Sequence, residues 1–306
     1  MDHASLLSTQ MTMLPAFRRI LHRAGSGLSL LGIAFVAIRL KEYCGSQDLA
    51  VITPLAWVAI GGLAVICGLS NILLALSWQK LLEQFGVCAT RMWSIRSYGI
   101  SQLAKYVPGN ILHIAGRQAI GMSAGISGGV IAKSIFLELV LIAVAGVLYG
   151  WLVLTRLVFG LPLIASIVIM LCTVWVIAYL LRRYYGLQAA EAFRLQMLFL
   201  AVSGGVFVTL FEIAAQCGVP QPENWIFIGG AYVVAWFLGF IAPGAPAGVG
   251  VRELTLLFLL KGILTDADLI VAVLLGRMVT LVGDVLFFCG SFFIPVKKVF
   301  VERICD

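Results

Sequence analysis

The stretch Lys105-Tyr-Val-Pro-Gly-Asn-Ile-Leu-His-Ile-Ala-Gly-Arg117 decides how this chain folds, because it places charge and helix-breaking residues within an otherwise apolar sequence. A second interruption, Pro243-Gly-Ala-Pro-Ala-Gly-Val-Gly-Val-Arg-Glu253, lies in the other half. Lipid tolerates irregular backbone only where protein buries it or where it lines a wet cavity. Two such segments, each ending near an arginine, predict a polar cavity that holds an anionic group.

The composition around these segments indicates a polytopic α-helical membrane protein. Hydrophobic residues make up 61% of the 306 residues and charged residues only 11%, with a mean hydropathy of +1.06. A soluble domain of this length needs a more charged surface. Positive-inside bias explains part of the net charge of +7, and the remainder suits anionic lipid headgroups. We expect no nucleic-acid partner.

Apolar stretches long enough to cross a bilayer, which takes roughly 20 residues, occur along most of the chain. They are 25–41, 51–78, 131–154, 158–181, 195–217, 224–242 and 267–294. Segments 91–122 and 244–263 are too apolar for exposed linkers, and Pro and Gly interrupt them. The sequence therefore predicts an all-α fold with about seven or eight transmembrane helices and two Pro/Gly-broken or re-entrant elements. The similar placement of the two breaks suits an inverted repeat.

The distribution of Lys and Arg predicts the orientation and three segments of the chain. Residues 1–24 form a cytoplasmic N-terminal segment, 25–294 a single transmembrane domain, and 295–306 a basic C-terminal tail. Basic residues place both ends in the cytoplasm, which seven full spans do not allow. Either the broken element at 244–263 crosses the membrane, or one span is misread.

The first break predicts a site for phosphate. Pro108 and Gly109 end one helix, and Asn110 caps the next. A helix N-terminus and an arginine fork both suit phosphate oxygens. We expect the polar groups around the break to converge on the ligand: Gln102, Lys105, Tyr106, Asn110, His113 and Arg117. The alternative is a cytoplasmic amphipathic hairpin whose basic residues meet lipid headgroups.

The second break predicts an opposing wall of the same site. Pro243, Gly244, Gly248 and Gly250 free the backbone before Arg252-Glu253 opens an apolar helix. Glutamate is favourable at a helix N-terminus and arginine is not, so Arg252 lies there for another partner. The alternative is an ordinary interhelical loop.

Ionisable residues within the predicted spans are costly and normally face the bundle interior. Arg277 and Asp284 share one helical face, and we expect partners for them on other helices. Glu138 is expected to pair with Arg117 or Arg277, or to carry a coupling proton. Purely structural ion pairing remains the alternative.

Enzyme signals are weak. Gly125-Ile-Ser-Gly-Gly129 matches a nucleophile motif, but the only nearby histidine, His113, precedes the serine. The sequence contains no Walker motif and no H-E-x-x-H, and its histidines are too dispersed for a metal site. We therefore expect no enzymatic activity, no metal and no cofactor.

The two motifs together, Gln102-Leu-Ala-Lys-Tyr-Val-Pro-Gly-Asn-Ile-Leu-His-Ile-Ala-Gly-Arg117 and Pro243-Gly-x-x-x-Gly-Val-Gly-Val-Arg-Glu253, resemble the transmembrane region of the lysylphosphatidylglycerol synthase family. The resemblance implies a flippase-like fold with re-entrant helices. Stand-alone relatives are associated with glycans and glycolipids of the cell envelope. Full-length synthases carry a soluble aminoacyltransferase domain that this sequence lacks, so we expect no synthase activity.

These observations predict an integral membrane lipid translocase. It would move an anionic lipid headgroup, either of a membrane phospholipid or of a polyprenyl-linked glycan, across the cytoplasmic (inner) membrane. Energy would come from a proton on Glu138 or Asp284, or from downhill flow. The alternative is a non-transporting membrane partner that presents lipid to a separately encoded envelope glycosyltransferase or aminoacyltransferase.

Overall fold

The computed structural model of the chain describes residues 53–107, 112–154, 162–215, 224–242, 248, 250–263 and 266–295. Within these residues the fold is almost entirely helical and contains no β-strand. The predicted span at 25–41, the segment 1–24 and the tail from 296 onward lie outside the described residues. So do the predicted site residues Pro108, Gly109, Asn110, Pro243 and Gly244.

The described residues form nine α-helices and one short 3₁₀ turn, Leu103–Tyr106, which follows the second helix. In chain order the helices are α1 Pro54–Gln84, α2 Arg91–Gln102, α3 Leu112–Ser123, α4 Gly128–Leu154, α5 Leu163–Tyr184, α6 Leu187–Ala214, α7 Trp225–Ile241, α8 Val251–Leu259 and α9 Asp266–Phe292.

Five of these helices, α1, α4, α5, α6 and α9, are long and apolar enough to cross a membrane. This confirms a membrane protein of the all-α class. Helix α7 has 17 residues and α8 only nine. At roughly 1.5 Å per residue, α8 covers about 14 Å of a hydrocarbon core about 30 Å thick.

Helices α1 and α6 extend beyond the apolar stretches predicted at 51–78 and 195–217, because their polar ends contact each other. Lys80 Nζ lies 3.0 Å from Glu191 Oε2. Ser77 donates to the carbonyl of Ala192 at 3.1 Å. Farther along, Gln84 donates to the carbonyl of Tyr185 at 2.6 Å. Residue numbers rise on one helix as they fall on the other, so α1 and α6 are antiparallel.

Each Pro/Gly break joins two helices that pack side by side. The guanidinium of Arg117 in α3 lies over the ring of Tyr98 in α2. The guanidinium of Arg252 in α8 lies over the ring of Tyr232 in α7. At the second break a Cβ on Gly248 would come within 2.7 Å of the Cα of Gly239, so only glycine allows this turn, where φ is 70°. The pairs α2/α3 and α7/α8 are called the first and second hairpins below.

Each hairpin packs against a long helix from the other half of the chain. The first hairpin contacts α9, where a Cβ on Gly99 would meet the side chain of Ser291, and Arg96 Nη1 donates to the carbonyl of Ile294 just beyond the helix end at 2.8 Å. The second contacts α4, where a Cβ on Gly146 would lie 2.9 Å from the ring of Phe237. Small residues allow such close approach between membrane helices. The two halves are therefore interlocked.

The order of elements occurs twice along the chain. A long helix, a broken hairpin and a second long helix appear as α1, α2/α3, α4 and again as α6, α7/α8, α9. Helix α5 connects the two sets and lies at the periphery, since only 11% of its most apolar stretch is buried. The remaining helices surround the space between the two hairpins.

Candidate functional site

A cavity of about 120 Å³ lies between the two hairpins, in the interior of the bundle. At roughly 10–15 Å³ for each enclosed water, it has room for several waters or one phosphate group. Both hairpins, the 3₁₀ turn and the long helices contribute to its wall. The predicted site residues that line it are Gln102, Lys105, Tyr106, His113, Arg117, Glu138, Arg252, Arg277 and Asp284.

Asp284 on α9 is the centre of one polar cluster and is 1% exposed. Its Oδ2 pairs with Lys105 Nζ at 2.7 Å and also accepts from the Tyr106 hydroxyl. Its Oδ1 accepts from Asn71 Nδ2 and Gln102 Nε2, each at 3.2 Å. Four donors from three separate elements therefore neutralise and fix this carboxylate.

Arg117 and Glu138 form a second cluster, and this pairing settles which cation Glu138 contacts. Arg117 Nη1 donates to both carboxylate oxygens, at 3.0 and 2.7 Å, and both side chains are nearly inaccessible to solvent. The Tyr98 hydroxyl donates to Glu138 Oε1 at 3.0 Å. The guanidinium carbon lies 4.4 Å from the centroid of the Tyr98 ring and 5.3 Å from that of Trp78.

Arg277 and Glu253 form the third cluster, beside the cavity. Arg277 Nε donates to Glu253 Oε1, and Arg277 Nη2 donates to the carbonyl of Gly248 at 3.0 Å. Glu253 Oε2 accepts from the backbone N–H of Gly250 at 2.7 Å, which caps α8. Burial by itself would raise the pKa of Glu253, but the hydrogen bond and charge of Arg277 lower it below its usual value.

Arg252 differs from the other three cations. It is 4% exposed, and its guanidinium carbon lies 4.3 Å from the ring centroid of Tyr232. Within the described part of the chain no carboxylate pairs with it, and its Nη2 has no hydrogen-bond partner. Its face contact with Tyr232 leaves the ends of the guanidinium fork free for a ligand.

His113 also presents an unpaired polar atom to the cavity. Its Nδ1 is buried and has no partner among the described residues. Burial, followed by the charges of Arg117 and Lys105, lowers the pKa of His113 to about 3. The imidazole is therefore neutral at physiological pH and adds no charge to the cavity.

The charges around the cavity do not cancel. Lys105, Arg117, Arg252 and Arg277 are the cations, and each of three carboxylates is already paired with one of them. Arg252 is the cation left over among the described residues. This arrangement leaves a positive charge that suits an anion. The described residues contain no cluster of three or more His, Cys, Asp or Glu that suits a metal ion.

The two hairpins build similar arginine sites with one difference. Tyr98 follows the first residue of α2 by seven positions, and Tyr232 follows the first residue of α7 by the same number. The face of each tyrosine ring contacts the guanidinium of an arginine from the other arm of its hairpin. Arg117 receives a carboxylate from α4, whereas the pocket around Arg252 receives Val273 and Gly276 from α9.

Sequence reasoning missed several residues that line the cavity, including Asn71, Tyr98 and Tyr232. Asn71 carried a usable signal, because it is an amide within an otherwise apolar predicted span. The two tyrosines gave none, since the sequence does not distinguish a tyrosine at the membrane interface from one that lines a cavity. Glu253, predicted to line the site, contacts Arg277 beside the cavity.

No known family model, curated protein or solved structure matches the chain. The resemblance to the lysylphosphatidylglycerol synthase family therefore stays a prediction. The geometry of the cavity is the basis for assigning a function.

Proposed function

We propose that this protein is an integral membrane lipid translocase that moves an anionic headgroup across the cytoplasmic membrane. The observation that supports this most directly is the buried, carboxylate-free guanidinium of Arg252 in a cavity inside an apolar bundle. A charge without a partner is costly in such a place, by several kcal/mol. The phosphate of a lipid would supply the missing partner while the acyl or prenyl tails stay in the bilayer.

The proposed topology makes both hairpins re-entrant. The predicted span at 25–41 together with α1, α4, α5, α6 and α9 would make six crossings, which returns both ends to the same side. The segment 224–242, counted as a span from the sequence, would then be one arm of the second hairpin. Arg91 and Arg183 would both face the cytoplasm, as positive-inside bias requires. This assignment removes the conflict between seven spans and two cytoplasmic ends.

The same topology makes the two halves an inverted repeat. Helices α1 and α6 are antiparallel, and the first hairpin would enter from the cytoplasm and the second from the opposite side. Transporters of this design bind substrate at the interface of their repeats and rock one repeat against the other. The cavity lies at that interface, so rocking would expose Arg252 to each leaflet in turn.

Downhill movement of the lipid is the simplest energy source for this protein. Glu138 and Asp284, the two carboxylates predicted to carry a coupling proton, each hold an ion pair and further hydrogen bonds. Protonating either one would leave its cation unpaired in the interior, which is unfavourable. Movement along a lipid gradient needs no such step.

A liposome assay tests the proposed function. Purified protein is reconstituted with phosphatidylglycerol that carries a fluorophore on one acyl chain, and dithionite is added to quench the outer leaflet. Wild-type protein should allow quenching of the inner-leaflet label. Arg252→Gln should slow that phase by about tenfold or more, since a buried charge-assisted hydrogen bond is lost.

Arg183→Gln is the matched control, because it removes the same charge from an exposed position at the end of α5. It should move lipid as fast as the wild type. If the wild-type protein moves no lipid, the translocase proposal is wrong. Stable lipid binding without movement would then favour the non-transporting partner that presents lipid to an enzyme.

A further inference from the structure

We infer that the cavity selects headgroups that carry a phosphate and no amine, so that it takes phosphatidylglycerol-like lipids and rejects ethanolamine and aminoacyl lipids. This inference rests on the proposed lipid site at Arg252 and specifies its substrate class. It contrasts with the aminoacylated lipid that the resemblance to a lysylphosphatidylglycerol synthase would suggest.

An ammonium group would find no free carboxylate among the described residues that line the cavity. It brings three donors and no acceptor, so it needs oxygen atoms to replace its water. Every oxygen of Asp284, Glu138 and Glu253 already accepts at least one hydrogen bond. An ammonium admitted to the cavity would have to share a carboxylate with a cation that already contacts it, which would place two positive charges side by side in the interior.

A phosphate group finds the opposite conditions. It brings only acceptors, and the unpaired Nη2 of Arg252 is a buried donor that needs one. The planar guanidinium suits phosphate oxygens because it presents its N–H groups as a fork. His113 Nδ1 offers a second buried position for a hydrogen bond in the same cavity.

The first hairpin shows what kind of partner Arg252 lacks. Arg117 and Arg252 each stack on a tyrosine, but only Arg117 contacts a carboxylate, Glu138. At the second hairpin α9 lines the pocket around Arg252 with Val273, Gly276 and Arg277, and none of these is a carboxylate. Glu253 also lines this pocket, but it is paired with Arg277. The phosphate of the ligand would therefore pair with the guanidinium of Arg252 as the carboxylate of Glu138 pairs with that of Arg117.

Aromatic side chains provide the competing explanation, because an ammonium also binds to ring faces. Phe199, Trp236 and Phe240 line the cavity. The rings of Trp236 and Phe240 stack on each other at 5.3 Å, which covers one face of each. We assign this wall to the apolar part of the lipid.

Competitive binding measured by native mass spectrometry tests the selectivity. Detergent-purified full-length protein is mixed with equal amounts of phosphatidylglycerol, phosphatidylethanolamine and lysylphosphatidylglycerol that share the same acyl chains. Phosphatidylglycerol should be retained about tenfold or more over each amine-bearing lipid, and Arg252→Gln should abolish the preference. Equal retention of all three lipids would overturn the inference.

A second variant keeps Arg252 and tests the replacement directly. Val273→Glu places a carboxylate in the pocket around Arg252, and Val273→Gln is the matched control of the same size without charge. The Glu variant should lose phosphatidylglycerol retention by about tenfold, whereas the Gln variant should lose much less. If both variants keep the wild-type preference, Arg252 does not hold the phosphate.

The outcomes separate this inference from the proposed function. Selective binding of phosphatidylglycerol without lipid movement supports the inference and contradicts the proposed translocase function. Movement of all three lipids at equal rates supports the proposed translocase function and contradicts the inferred selectivity. A preference for an amine-bearing lipid overturns the inference and assigns the headgroup to the aromatic wall.

Discussion

Arg117 and Arg252 lie in comparable places in the two halves of the protein and in different electrostatic surroundings. Each stacks on a tyrosine across its hairpin, at 4.4 and 4.3 Å from the ring centroid. Arg117 contacts both oxygens of Glu138, whereas α9 contributes no carboxylate to the pocket around Arg252. The comparison teaches that the same local geometry serves stability in one half and leaves a charge available for a ligand in the other.

The largest effect on stability is expected from breaking the ion pair between Arg117 and Glu138. Glu138→Gln leaves Arg117 buried without a countercharge, so we expect a loss of about 3–5 kcal/mol of folding free energy. The measurement is the thermal stability of purified protein in detergent. Glu191→Gln is the control, because its partly exposed pair with Lys80 is worth about 0–1 kcal/mol. Equal stability of the two variants would contradict a structural role for the Arg117–Glu138 pair.

Arg252→Gln should behave in the opposite way. It removes a buried charge that has no carboxylate, so the lipid-free protein should gain stability by up to several kcal/mol, less the contribution of the lost contact with Tyr232. Lipid movement in the same variant should fall as proposed above. A thermal scan and the liposome assay on the same variant separate its effect on stability from its effect on lipid movement. A variant that unfolds as readily as Glu138→Gln would show that Arg252 is structural after all.

The packing of the second hairpin predicts an intermediate effect. A Cβ on Gly239 would lie 3.1 Å from the Cα of Gly248 and 3.4 Å from the Cβ of Arg252. Gly239→Ala should therefore push the arms apart and cost about 1–3 kcal/mol. Gly150→Ala is the control, since nothing lies within 4 Å of a Cβ there. Thermal stability that is equal in both alanine variants would contradict the close contact at this break.

His113 predicts the smallest effect, on the dependence of stability on pH. The folded imidazole takes up a proton only near pH 3, whereas an unfolded histidine does so near 6.5. Between these values the unfolded state binds more protons, so the wild-type protein should lose stability as the pH falls from 7 to 5. His113→Gln should lose that part of the dependence, by less than about 2 kcal/mol. An unchanged slope in thermal scans across this range would contradict a buried neutral His113.

Much of the fold could be predicted from the sequence. Hydropathy located each of the five long helices, and the Pro-Gly dipeptides located both breaks, because apolar length and helix breaking are local properties. The ends of α1 and α6 were misplaced, since polar residues such as Lys80 and Glu191, which pair with each other, fall outside an apolar stretch although the helices continue through them. The sequence has no local signal that distinguishes a full span at 224–242 from one arm of the second hairpin.

The candidate site was less accessible to sequence reasoning. The sequence indicated which ionisable residues face the interior, because their cost in lipid depends on position in a span. It offered Arg117 and Arg277 as partners of Glu138 without choosing between them, and it did not indicate that Arg252 would have no carboxylate, because both depend on how the two halves interlock. Asn71 contacts Asp284 across 213 residues of chain, a distance over which no pattern of spacing applies.

The most direct test of the account is the rate of phosphatidylglycerol movement in liposomes with Val273→Glu beside Val273→Gln. The two variants differ by one charge at one position and both keep Arg252. We predict that the Glu variant moves this lipid about tenfold more slowly than the Gln variant, because the introduced carboxylate pairs with the guanidinium of Arg252 in place of the phosphate. Equal rates in the two variants, at equal amounts of folded protein, would contradict the assignment of Arg252 as the phosphate site.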